Sequence, residues 1–272
     1  MERSDLERHE IFLSCVRFDI RSSCAKTSRF LRRHWKGATQ PIVPHESTCE
    51  IEVFADQSPR IVVDGDVLWS DGAVEYLVAG FEQWLYRLAL ARHKRRFVVF
   101  HAAGLVSDGR TVVFSGPSGA GKSSLALAAV RRGWKYFSDE FVVTDGAKMW
   151  GWPRAIRFDP PKRSAPPPDY LRGLDVDEDS VELPQDAPPY YTVAERALQQ
   201  FACPADEAHF VGIARGGQTT LTPLSTTAGL TGWTEASFFE PAVSLGALVG
   251  TKRAWRASWC HPDELIDMIE AI

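Results

Sequence analysis

Between the β-branched run RTVVFS and the alanine- and leucine-rich run SSLALAAVRR, the chain reads GPSGAGKS, from Gly116 to Ser123. No other stretch limits the fold so tightly. The pattern is G-x-x-x-x-G-K-[ST], and it needs a strand before it and a helix after it. Its glycines let the backbone turn so sharply that consecutive N–H groups point inward at phosphate oxygens. The helix then presents its unpaired N–H groups and the positive end of its dipole to the same anion. A nucleotide is therefore expected against Gly116, Pro117, Ser118, Gly119, Ala120, Gly121, Lys122, Ser123 and Ser124. Lys122 is expected to reach the β- and γ-phosphates, and Ser123 to ligate Mg²⁺, with ATP the nucleotide.

Two acids, Asp139 and Glu140, follow the β-region WKYFSDE. Beside a phosphate-binding loop such a pair divides two tasks. One acid holds the metal and the other accepts the proton of an attacking hydroxyl. His101 ends the run FVVFH, and its imidazole titrates near neutral pH, so it is a candidate for work near the transferring phosphate. The next strand region, MWGWPRAIRFD, carries Arg154 and Arg157, whose forked guanidinium groups suit a carboxylate or phosphate on the acceptor. Trp150 and Trp152 either wall that pocket or pack.

The rest of the chain reads as an α/β protein with a smaller β-rich module in front. Residues 1–72 hold the strand-like runs EIFLSCVRFDI, CEIEVF and RIVVDGDVLW, the last split by Asp64-Gly65. RSSCAKTSRFLRRHWKGATQP reads as loop or a short basic helix. Residues 73–272 form the loop-bearing domain. It opens with a helix over 73–92 that sets Leu77, Phe81, Trp84, Leu85 and Leu88 on one core face. Asp108-Gly109 makes a hairpin turn ahead of the loop, and the helix after the loop runs from Ser123 to Arg132 and stops at Gly133. The proline- and acid-rich stretch 159–190 is expected to be a mobile lid or a disordered excursion. Beyond it come strands HFVGIAR, TTLTPL and AWRASWC, helices over Thr226–Phe239 and Pro241–Val249, and the amphipathic closing helix PDELIDMIEAI.

Composition narrows the partners. A formal charge of -4 gives no cause to expect nucleic acid. Two basic clusters, Arg29, Arg32, Arg33, Lys36 and Arg92, Lys94, Arg95, Arg96, read as solvated surface. The five cysteines are scattered, with no C-x-x-C pair, which suits neither a disulfide framework nor a cysteine zinc site and points to the reducing cytoplasm. The first residues mix acids with bases and carry no apolar core, so no signal peptide is expected, and no apolar run reaches membrane-spanning length.

From His101 to Val143 the spacing resembles the bacterial HPr kinase/phosphorylase family and its smaller relatives. That family places a histidine fifteen residues before the first glycine of its P-loop, as His101 stands before Gly116. Its loop helix leads to an Arg-Gly pair and an acidic pair, here Arg132-Gly133 and Asp139-Glu140. The family's second acid is usually aspartate. The resemblance implies a mixed β-sheet of the phosphoenolpyruvate carboxykinase type with flanking helices. It implies Asp139 as catalytic base and Glu140 in the metal shell, or the two exchanged, with His101 near the transferred phosphate. The function implied is a Mg²⁺- and ATP-dependent kinase acting on a serine hydroxyl of a peptide tail or small molecule, with free serine or the HPr protein as alternative acceptors. The family also forms closed rings, so a homo-oligomer is one expectation. The alternative reading is a non-catalytic nucleotide-binding regulator; a guanine-specific switch lacks its N-K-x-D motif here.

Overall fold

A computed structural model describes residues 6–55, 58–70, 74–92, 97–152, 156–157, 190–191, 203–236 and 253–272. The opening segment builds a five-stranded sheet in sequential order: β1 (Glu7–Leu13), β2 (Val16–Ser22), β3 (Ser47–Phe54), β4 (Arg60–Val63) and β5 (Asp66–Ser70). EIFLSCVRFDI is a strand pair, turned at Ser14-Cys15, with Leu13 opposite Val16. The basic segment after it is a helix, α1 (Ala25–His34), with its arginines Arg29, Arg32 and Arg33 exposed. The topology demands a crossover there, because β2 and β3 pair in parallel and a tight turn cannot join parallel strands. Asp64 (φ 49°) and Gly65 (φ 93°) form the two-residue turn between β4 and β5.

The helix expected over 73–92 runs from Val74 to Arg92 (α2). Phe81 and Leu85 are buried, and Trp84 and Leu88 pack half-buried beside them. Together with α1 these residues cover one face of the first sheet. The same apolar cluster continues into Phe97, Val99, Phe141, Val143, Trp150 and Trp152. Trp150 and Trp152 are thus core residues. Both indole N–H groups donate to Ser14 Oγ at 2.9 Å, so one hydroxyl in the first hairpin turn ties the two halves of the cluster together.

The second sheet is nine-stranded and mixed. Its strands are β6 (Val98–Ser107), β7 (Arg110–Ser115), β8 (Lys135–Ser138), β9 (Phe141–Thr144), β10 (Lys148–Gly151), β13 (Cys203–Pro204), β14 (Ala208–Arg215), β15 (Thr220–Pro223) and β16 (Arg253–Trp259). The order is β13-β10-β9-β6-β7-β14-β16-β15, with β8 beside β6. β7, β14 and β16 run parallel, and the other pairings are antiparallel. Between β10 and β14, β11 (Ile156–Arg157) pairs with β12 (Tyr190–Tyr191) in a separate ribbon. Arg154 and all but the last residue of the proline-rich segment 159–190 lie outside the described residues, as does the helix expected at Pro241–Val249.

Helix α3 (Lys122–Arg131) follows the glycine loop and ends where Gly133 takes φ 90°. It shares one face of the sheet with the closing helix α5 (Pro262–Glu270), around Leu125, Ala129, Val211, Trp259 and Leu265. Helix α4 (Thr226–Ala236) packs near β6, β14 and β16. The fold is therefore α/β with a mixed sheet, as the sequence predicts. Among the described residues no helix is long and apolar enough to cross a membrane.

Candidate functional site

Strand β7 ends at Ser115, and the chain turns immediately into the glycine loop. Ala120 N–H donates to Pro117 O at 3.1 Å, closing the turn. Pro117, Ser118 and Gly119 are exposed at its crest, while Ala120 is buried beneath. Gly119 and Gly121 both take positive φ, 80° and 94°. Gly121 has a second reason to be glycine: a Cβ there would lie 2.2 Å from the Trp259 ring. Trp259 is fully buried and its indole N–H donates to Ala120 O at 3.1 Å. Arg215, at the end of β14, stacks its guanidinium 3.5 Å above the centre of the Trp259 ring. The loop is thus braced from β16 by residues far away in sequence.

Lys122 opens α3 and is almost fully buried, with its ammonium donating to Gly116 O at 3.0 Å. Burial pulls its pKa below the ordinary lysine value, and the nearby charges of Glu140 and then Asp139 work against that pull. Ser123 Oγ donates to Asp139 Oδ2 at 2.8 Å. The other oxygen of the same carboxylate, Oδ1, accepts from Tyr136 OH at 2.8 Å. Asp139 is 2 % exposed, and these two hydroxyls orient its carboxylate.

The acids directly follow the end of β8 at Ser138, as the sequence predicts. They interrupt a run along the edge of β6: Ser138 stands opposite Gly104 and Phe141 opposite His101. Between these, Ala102 N–H donates to Glu140 O at 3.1 Å. Ser138 Oγ accepts from both Glu140 N–H (3.2 Å) and Phe141 N–H (2.9 Å), which holds the bend. This placement brings Glu140 to His101, with Oε1 3.5 Å from Nε2. Lys122, Ser123, Asp139, Glu140 and His101, spread over forty residues of sequence, therefore stand around one edge of the glycine loop. Arg157 belongs to β11.

Sequence reasoning passed over three members of this neighbourhood. Tyr136 reads as an ordinary strand residue, since a buried aromatic in a β-run signals core. Trp259 and Arg215 carry no local motif at all, because their role exists only once β14 and β16 lie beside β7.

The donor set suits a hard divalent cation. Ser123 Oγ and the Asp139 carboxylate set oxygen atoms 2.8 Å apart, the type of group through which Mg²⁺ binds together with phosphate oxygens.

No family model matches the chain, and no curated protein does. Among solved structures, the HPr(Ser) kinase/phosphatase from Coxiella burnetii is similar at 13 % identity and a TM-score of 0.31, over 64 % of this chain and 96 % of that one. A likeness that low says nothing about the chemistry of this site.

Proposed function

We propose that the chain is an ATP-dependent phosphotransferase that passes the terminal phosphoryl group to an alcohol, a serine hydroxyl of a peptide or small molecule. The observation that carries this reading is the Ser123–Asp139 hydrogen bond. It ties the first turn of the loop helix to an acid, so nucleotide phosphates and a proton acceptor share one place. A plain nucleotide-binding regulator would keep Lys122 but could dispense with Asp139 and His101.

In this reading the glycine loop acts as a P-loop. Its N–H groups and the α3 N-terminus hold the phosphates, and Lys122 lies along the terminal ones. Ser123 holds Mg²⁺ with the acid pair, and Mg²⁺ when bound offsets charge on the phosphate oxygens. Asp139 is oriented by Tyr136 and Ser123 and takes the proton of the acceptor hydroxyl. As it does so, the acceptor oxygen forms its bond to phosphorus and the bond to the ADP oxygen breaks. Glu140 completes the metal shell, with His101 beside it near the transferred group. Positioning and electrostatics supply most of the acceleration.

The test is phosphate transfer read by mass spectrometry, with MgATP and, in separate tubes, serine, serine peptides and HPr. The expected result is gain of one phosphate on an acceptor, lost in Lys122→Ala and reduced about 10²- to 10⁴-fold in Asp139→Asn. Glu140→Gln is expected to raise the Mg²⁺ concentration needed for half-maximal rate. Bound nucleotide with no acceptor modified, and no effect of Asp139→Asn on any ATP turnover, would favour the regulator instead.

A further inference from the structure

Strands β7, β14 and β16 run parallel, so Ser115, Arg215 and Trp259 end along one edge of the sheet. Ligands of open α/β sheets lie in the crevice outside such strand ends. The glycine loop leaves this edge at Ser115 and divides it into two flanks. On one flank, along β6, stand His101, Asp139 and Glu140. On the other, at the ends of β14 and β16, stand Arg215 and Trp259.

The second flank holds one arginine flat. Arg215 and Trp259 are register partners on neighbouring parallel strands, so their side chains leave the same face of the sheet. The Arg215 guanidinium carbon stands 3.5 Å above the centre of the Trp259 ring, within the range of a cation–π contact. Trp259 is itself fixed, being fully buried and donating its indole N–H to Ala120 O. The chain beyond Arg215 is fixed too. Gly216 N–H donates to Trp259 O at 3.0 Å, and a Cβ at Gly216 would lie 1.9 Å from Ser258 Oγ. Arg215 Nε lies 3.2 Å from where a Cβ on Gly121 would stand, so the guanidinium abuts the residue that caps the loop helix. Arg215 is nevertheless exposed. One face of its plane lies on Trp259, and the opposite face is turned outward.

Which part of a nucleotide meets this plane follows from the other flank. A lysine in this motif tracks the β- and γ-phosphates, and the acid that bonds to Ser123 stands beside β6. The terminal phosphate therefore points toward β6. An extended nucleotide laid across the loop then carries its base toward β14. Neighbouring strands are about 4.8 Å apart, so β6 and β14 frame a gap of about 10 Å, which a triphosphate and ribose can span.

Resting on the nucleotide site of the phosphotransferase reading, we infer that Arg215, laid flat on Trp259, is the surface on which the nucleotide base stacks. A guanidinium is planar and weakly hydrated, so a base covers its free face at little cost in lost water. The result is a three-layer stack of indole, guanidinium and base. Stacking of this kind reads the face of a base rather than its edge. The phosphates stay with the loop N–H groups and Lys122. Bracing of the loop uses only the covered face of Arg215, whereas base binding uses the outward one.

The test is calorimetric titration of the full chain, in the presence of Mg²⁺, with ATP and with ribose 5-triphosphate, which lacks only the base. The wild type is expected to bind ATP about tenfold more tightly than the baseless ligand. In Arg215→Ala that advantage is expected to shrink to about twofold or less, with affinity for ribose 5-triphosphate held within about twofold of the wild type. Arg215→Lys keeps the charge but loses the plane, so it should resemble Arg215→Ala. Equal binding of the two ligands by the wild type overturns the inference. So does a preserved advantage for ATP in either variant. An equal fall for both ligands in Arg215→Ala overturns it as well, because it marks a phosphate contact or a brace of the loop instead. A wild-type protein that binds neither ligand overturns the phosphotransferase reading itself.

Discussion

Lys122 shows how a single residue is pulled two ways. Burial favours its neutral amine, whereas Glu140 and Asp139 favour the ammonium. Burial is the stronger, so the amine loses its proton below the ordinary lysine value, and phosphate binding needs the charged form. Affinity for MgATP should therefore weaken as pH rises toward the ordinary lysine value of about 10.4, ahead of where an exposed lysine would titrate. Lys122→Arg should flatten that fall if the longer side chain still binds, because guanidinium keeps its charge. A fluorescence titration across that pH range checks both. Tyr136 makes the complementary case. Tyr136→Phe removes the hydroxyl that donates to the buried Asp139 Oδ1. A stability loss of about 1–3 kcal/mol is expected by denaturant unfolding, with a fall in kcat, since the base loses a hydroxyl that orients it. The loop residues were legible because their spacing is itself the chemistry. Tyr136 was not, since what distinguishes it from a core tyrosine is a bond made three residues onward, across a bend.

At the scale of elements, the glycine loop is only as rigid as the strand that braces it. Gly121→Ala meets two obstacles, a left-handed backbone and the Trp259 ring 2.2 Å from the new Cβ. The backbone alone costs about 1 kcal/mol, and the ring must move as well. Nucleotide affinity should fall more than overall stability, which paired titration and thermal unfolding would separate. Trp259→Phe keeps bulk but removes the donor to Ala120 O, so it should weaken nucleotide binding while α5 stays docked. Several elements could be read directly from sequence. Asp64-Gly65 and Asp108-Gly109 announced their hairpins, and both pairs take positive φ in the turns. The acid pair was legible as a pair but not as a bend within the β6 edge. A strand broken for two residues looks, in sequence, like a strand that has ended. The helix α1 was equivocal because Thr27, Ser28 and His34 share its buried face with Phe30 and Leu31; the parallel pairing of β2 with β3 decides it.

For the whole molecule, the two sheets are joined by one continuous apolar cluster that includes Trp150 and Trp152. No sequence period could reveal this, since the tie runs through Ser14 at the other end of the chain. Two histidines make stability depend on pH. Burial lowers the pKa of His9, and burial followed by the charges of Arg253 and Arg110 lowers that of His209. Each folded imidazole resists a proton that the unfolded chain accepts at about 6.5, so stability falls as pH drops below that value. Thermal unfolding at about pH 7.5 and about pH 5.5 should show the loss, and His209→Gln should reduce it. In the proposed function the edge formed by the loop, Lys122, Ser123 and Asp139 holds a nucleotide with its metal. The most direct measurement is a calorimetric titration of ATP, with and without Mg²⁺, into wild-type protein and Lys122→Ala. Saturable, Mg²⁺-strengthened binding is expected in the wild type, weakened at least about tenfold in the variant. No binding, or equal binding by both proteins, would contradict it.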